Sequence, residues 1–418
     1  MVALSCLRRP SGTALDCSQL KVAIVGGSLG GLAAANVLHR LGVSVTVFEK
    51  QTSTMERRGA CLGFVDVDLW ERIRGKAMAR HDGRPVTRDP PPDGRQSFEN
   101  QGSFYYGDMW AFLFSGLPGG CVRFGRTVET LGDAGKPSID GETFDVAIIA
   151  DGGWSSLRGK YFEGEQQPEY SGYQIFWGRA EVADCGADIM RSFDGRTELI
   201  GPYATVTLPV PHFDGQRQYM AAWFVPTPEA EIKLPGSGDN RQIEQVSGNG
   251  NAPSWFLPFV KALFGRRSEA IRRRSPGTDG RSAADEIVHF AEACHNKGKI
   301  TASPVFEFGA SRTVNQRVVL MGDAAHMASP FTAAGAHTAM LDALGLLKAL
   351  ASEASVDAAL RVYDAGGSAR VRSLLRQSRA CTKHLLPGQG KEAVQSPSML
   401  LSCKHTDITT TNRVLGLV

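Results

Sequence analysis

No run of about 18 apolar residues occurs in the 418-residue chain, so no segment is long enough to cross a bilayer as a helix. The eight cysteines (Cys6, Cys17, Cys61, Cys121, Cys185, Cys294, Cys381 and Cys403) never form a CxxC pair. That argues against a zinc site or a dithiol redox motif. No metal-binding pair of histidines is evident either, and no metal is expected. A secretory apolar region is missing, so reduced thiols in the cytoplasm are expected. Charge of one sign is missing too: 46 basic and 43 acidic residues leave a net +3. Such a balance gives no large field for nucleic acid or an anionic membrane. There are no internal repeats.

What is present is ordinary globular composition, 42% hydrophobic and 21% charged, in a chain long enough for two interleaved domains. Residues 1–20 carry Arg8 and Arg9 with no acid before Asp16. They read as a flexible end, with an organelle-targeting leader as the alternative. The basic run "FGRRSEAIRRRSPG" (264–277) reads as a solvated face.

The first strong element is "KVAIV" (21–25), a short β-branched run that meets "GGSLGG" (26–31). Apolar residues at helical spacing follow, then the alternating "VSVTVFEK" (43–50). This is a strand-turn-helix-strand unit of a parallel sheet. "GCVRFGRTVETL" (120–131) is a shorter strand-like piece, and 83–102 reads as a loop. "ETFDVAIIADGGWSSLRG" (142–159) is a buried strand entering a glycine turn. From Tyr170 to Val225 the text becomes a series of strands, as in an antiparallel sheet. After the polar loop 232–254 the first kind of text resumes with "RVVLMGDAAH". The predicted fold is therefore α/β. A discontinuous Rossmann-type domain (21–160 and 300–386) carries a β-rich insert (161–299), with a tail over 387–418.

Three turns carry chemistry. In "GGSLGG", Gly26 serves the tight turn, Ser28 and Gly30 line the helix mouth, and Gly31 lets helix pack on strand. The unpaired N–H groups of such a helix end favour a diphosphate. Glu49 ends the second strand, placed to accept hydrogen bonds from a ribose. In "DVAIIADGGWSSLR", Asp151 and Gly152 sit at a strand end, where α/β proteins bind ligands; an Asx-type turn is the alternative. In "GDAAHMASPFTAAGAH" (322–337), Gly322 and Asp323 end a strand and Pro330 fixes the backbone. The small residues Ala333, Ala334, Gly335 and Ala336 then open a helix that can hold negative charge. His326 is a candidate proton donor or a packed histidine. In "RRGACLG" (57–63), Arg58 suits a phosphate, Gly59 suits close backbone approach, and Cys61 reads as a small apolar filler. No second glycine fingerprint follows a strand.

Together "GGSLGG…E", "DGGWSSLR" and "GDAAHMASPFTAAGA" resemble, in order and spacing, the single-component FAD-dependent aromatic hydroxylases. "RRGACLG", "YYGDMWAFLFSGLP", "SGYQIFWGRAEV" and "PFTAAGAHTAMLDA" are most similar to the branch acting on dihydroxypyridines and related heterocycles. The resemblance spans Lys21 to Leu386. It implies FAD, with Gly26, Gly27, Ser28, Gly30 and Gly31 near its diphosphate and Glu49 and Lys50 near its ribose. It further implies contacts from Arg58, Gly59 and Val128, with Asp323 on the ribityl chain or diphosphate. Pro330, Ala334, Gly335 and Ala336 would lie beside the ring. Asp151, Gly152 and Arg158 match a motif serving both FAD and NAD(P)H. The chain departs from many relatives at Trp110, where they carry an FAD-contacting arginine.

The implied reaction uses NADPH or NADH and O2 to hydroxylate a small aromatic or N-heterocyclic substrate through a flavin C4a-hydroperoxide. Epoxidation or Baeyer–Villiger chemistry on the same fold, and a non-catalytic flavin-binding protein, are the alternatives. The halogenase signature WxWxIP is absent. Candidate substrate liners are Tyr173, Phe176, Trp177, Tyr203, Tyr219 and Trp223, of which alternation turns about half away. A monomer or homodimer is expected.

Overall fold

The computed structural model describes residues 15–55, 61–78, 101–165, 167–181, 185, 197–200, 203–211, 217–227, 255–264 and 283–385. Arg58, Gly59, the loop 232–254, most of the basic run 264–277 and the two chain ends lie outside the described residues.

A six-stranded sheet in the order β15-β16-β9-β1-β2-β5 forms the first layer. Its strands are β1 (Lys21–Val25), β2 (Ser44–Glu49), β5 (Val122–Phe124), β9 (Val146–Ile149), β15 (Val314–Asn315) and β16 (Val318–Leu320). All pairings are parallel except β15 with β16. β1 and β9 read as continuous apolar runs because both faces of the sheet are covered. Val22 and Ile24 point into the core formed with α1 (Leu29–Arg40) and a later helix, Gly335–Ser352. Ala23 and Val25 point the other way, toward Leu131, Ile139 and Phe144. Those residues belong to or flank the small sheet β6 (Gly132–Asp133), β7 (Lys136–Ile139) and β8 (Glu142–Thr143).

The second layer is antiparallel, in the order β11-β12-β13-β10-β14-β17. It comprises β10 (Glu169–Glu181), β11 (Thr197–Ile200), β12 (Tyr203–Pro211), β13 (Arg217–Pro226), β14 (Ile300–Gly309) and β17 (His326–Met327). β14 pairs with β10, so the expected boundary at residue 300 falls inside this sheet and the chain returns to the parallel sheet only at β15 and β16. Register Phe176↔Trp223, with Trp177↔Ala222 and Ile175↔Phe224, assigns the two faces. Phe176, Tyr219 and Trp223 pack on the outer face under α5 (256–264) and α6 (Ala283–Asn296). Tyr173, Ile175 and Phe224 face inward with Phe331. Thus Phe176, Tyr219 and Trp223, expected as substrate liners, belong instead to the outer core. Strand alternation commits them there. The side chain of Tyr203 lies outside the described ones.

A ribbon of β3 (Cys61–Asp66) and β4 (Gln101–Tyr105) leads into α2 (Val67–Arg74) and α3 (Tyr106–Phe114). α4 (Ser156–Tyr161) follows β9. α7 (Gly335–Ser352) and α8 (Val356–Leu385) close the chain's described part. Among the described residues no helix is long and apolar enough to span a membrane.

Candidate active site

The β1–α1 turn is built on glycine by necessity. Gly26 has φ +106°, and a Cβ there would meet the Ala150 carbonyl oxygen at 2.2 Å. A Cβ on Gly31 would meet the Gly26 oxygen at 1.9 Å. The turn is braced from two sides. Glu49 accepts the Gly27 N–H at 2.7 Å and the Gln51 N–H at 2.8 Å. Trp110, fully buried and stacked on Phe114 at 4.6 Å, donates its indole N–H to the Gly27 carbonyl at 2.7 Å. Trp110 therefore supports the turn from inside the core. Ser28 sits at the helix N-cap without capping it, and its hydroxyl meets the Tyr106 hydroxyl at 2.6 Å. Residues 26–30 also spell G-x-S-x-G, but with tyrosine rather than histidine at the serine the turn is no nucleophile elbow.

Beside it lies the turn after β16, Gly322–Ala324. Gly322 and Gly30 approach closely: a Cβ on Gly322 would lie 4.0 Å from the Gly30 Cα. Asp323 is exposed there. The chain then passes through β17 and the Pro330–Thr332 turn into α7, whose N-cap Ala334 offers no capping side chain. Its first amides are left for a ligand or solvent. Pro330 is exposed, and Gly335 and Ala336 are half-buried.

The third turn, after β9, holds Asp151, whose Oδ1 is buried with no partner among the described residues. Burial pushes this carboxyl up to about 6, against the opposing pull of Ser155, Arg158 and Lys50. Gly152 has φ +99°. Arg158 is 1% exposed and spends its guanidinium on the carbonyls of Gly153 (2.7 Å) and Ala324 (3.0 Å), over the Phe308 ring at 4.0 Å. It ties two of the three turns together from behind. Lys50 is exposed, and Val128 packs half-buried against the core under the parallel sheet.

Behind the Gly322 turn is a network that residue patterns did not reveal. Asp342 of α7 accepts from His326 Nε2 at 2.8 Å, from Arg370 Nε of α8 at 2.8 Å and from the Gly322 N–H at 3.2 Å. Burial pushes the Asp342 carboxyl up, but His326 and Arg370 outweigh it and hold it below the ordinary carboxylate range. His326 is fully enclosed, which fits the packed reading and removes it from the cleft. A second network joins the layers. Tyr173 donates to Ser329 Oγ at 2.5 Å, and the Ser329 N–H meets Ser378 Oγ at 2.6 Å. Ser378 and Thr382 both donate to Glu307. Asp342, Arg370 and Glu307 lie outside the turn motifs, so only the fold brings them to His326 and Ser329 of the 322–337 stretch.

The FAD binding domain family matches residues 19–85 and 259–378. The chain is an FAD-dependent monooxygenase of the aromatic hydroxylase type. It is 26% identical to the 3-amino-4-hydroxybenzoate 2-monooxygenase of Streptomyces cremeus, over 91% of this chain and 94% of that one. Identity to the FAD-dependent urate hydroxylase of Klebsiella pneumoniae is 25%, over 86% and 89% of the two chains. Among solved structures, 2,6-dihydroxypyridine-3-hydroxylase from Arthrobacter nicotinovorans shares the fold at TM-score 0.65 and 19% identity, with 90% of this chain and 98% of that chain covered.

The residues of this flavoenzyme fit FAD. Two glycine turns meet closely, with only the small Ala339 methyl packed against both, and two helices begin without capping side chains at Ser28 and Ala334. One buried carboxylate oxygen lacks a donor, and a second carboxylate is exposed beside it along the sheet edge. An elongated, hydroxyl-rich diphosphate supplies partners for each of these groups.

Proposed function

We propose that this flavoenzyme hydroxylates a small aromatic or N-heterocyclic compound with O2 and NAD(P)H. One observation carries the reading. The apolar inner face of the antiparallel sheet abuts the Pro330–Phe331 turn, with Phe331 edge-on to Phe224 at 4.8 Å and Tyr173 bonded to Ser329. A flat substrate lying along that face beside the turn would meet the cofactor. Bound FAD supplies the redox and oxygen-transfer chemistry.

The chain's own residues then bind, orient and exclude water. The α1 mouth with Gly26, Gly27, Ser28, Gly30 and Gly31 would hold the diphosphate, and Glu49 the ribose, while its other hydrogen bonds keep it in place. Asp323 would hold the ribityl chain, and Asp151 would accept a donor at Oδ1. The amides of Gly335 and Ala336 would stabilise negative charge on the ring. Ile175, Trp177, Phe224 and Phe331 keep the reacting face dry, which strengthens every polar interaction there. A panel of hydroxylated benzoates and pyridines tests this. At least one should stimulate NAD(P)H oxidation and appear by mass spectrometry 16 Da heavier, as expected for one added oxygen atom. Unstimulated oxidation with every compound would contradict the reading.

A further inference from the structure

The inner face of β10 carries a cation near its end. Arg179 lies on the same face as Tyr173, Ile175 and Trp177, opposite Met220 on β13. Its Nη1 donates to the Tyr105 hydroxyl at 2.9 Å, and its guanidinium carbon sits 5.4 Å from the Tyr105 ring centroid. The side chain is half-buried, and among the described residues no carboxylate lies within ion-pair distance of it. The acid two residues along, Glu181, faces Lys299 at 3.9 Å instead.

Trp177 connects this corner to the reacting face. It packs in one cluster with Tyr173, Ile175, Phe224 and Phe331, and in another with Cys61, Tyr105 and Met220. A continuous apolar wall thus runs from the Phe331 turn to Tyr105, and the cation stands at its far end. Removing a charge from water without a counter-charge is costly. Here the tyrosine holds the guanidinium by one N–H and by its ring, which leaves further donors of the planar fork for an anion.

We propose that Arg179 receives an anionic group, a carboxylate or an ionised ring oxygen, on the aromatic substrate. This deepens the hydroxylase reading and rests on it. Arg179 is then the specificity residue that sets which end of the ring faces the flavin.

The test uses the FAD-loaded full chain and two probes of nearly equal shape, 4-hydroxybenzoate and 4-hydroxybenzamide, titrated against the visible flavin spectrum. The acid should bind about tenfold tighter than the amide or better, as a charge-assisted bidentate pair requires. Arg179→Gln should remove that preference by weakening acid binding alone, with FAD content unchanged. Arg179→Lys, which keeps the charge but loses the fork, should retain part of it. Tyr105→Phe should also reduce it, and this variant keeps the test open if Arg179→Gln does not fold. Equal binding of acid and amide by the unaltered enzyme, or a preference that survives Arg179→Gln, would overturn the proposal. FAD uptake is measured first on the same sample. Its failure overturns the hydroxylase reading and this inference together, whereas a yellow protein indifferent to the carboxylate overturns the role of Arg179 alone.

Discussion

At Gly26 a single methyl group decides whether the cofactor turn forms. The Cβ would sit 2.2 Å from the Ala150 carbonyl oxygen, on a backbone at φ +106°. Gly26→Ala should cost about 2–4 kcal/mol of stability in denaturant titration and abolish FAD retention. Trp110 tests the opposite case, a residue that holds the turn without facing the cleft. Trp110→Phe removes the hydrogen bond to Gly27, should cost about 1–2 kcal/mol, and should weaken FAD binding by no more than about tenfold. Asp151 gives a pH signature. Its carboxyl is raised to about 6, so between its ordinary value near 3.8 and 6 the folded state holds more proton than the unfolded one. Stability from this group therefore falls as pH rises through that window. Asp151→Asn should leave apo-protein stability nearly unchanged at pH 4 and raise it above pH 7, read by thermal melts across pH.

Elements were legible where periodicity and punctuation agreed. "KVAIV" with "GGSLGG" reads as a buried strand entering a helix, and the structure puts Gly26 and Gly31 where Cβ atoms cannot sit. "GCVRFGRTVETL" was less legible: only Val122–Phe124 pairs, at the sheet edge beside β2. Alternation along β10 predicted that half the aromatic candidates turn away, but not which half. That choice depends on register with β13 and on α6 covering one face, both of which are long-range. The packing of α7 on α8 likewise hid the Asp342 network. Asp342→Ala strands Arg370 and His326 in the core, which should cost about 3–5 kcal/mol. It also frees the Gly322 turn, so FAD should dissociate faster than in the milder Asp342→Asn.

Across the whole molecule the two sheets share one seam. β17 joins the antiparallel sheet four residues after Gly322 leaves the parallel one, so a single passage of chain belongs to both layers. The three turns that the sequence marked for a cofactor converge there from residues 26, 151 and 322, and that convergence is the central claim. The most direct test is FAD titration of the purified chain followed by gel filtration. The unaltered protein should retain about one FAD per chain, as a single dinucleotide fold requires. Gly26→Asp, which adds a clash and a negative charge at the diphosphate, should retain none. A chain that takes up no FAD, or a Gly26→Asp variant that keeps it in full, would contradict the account.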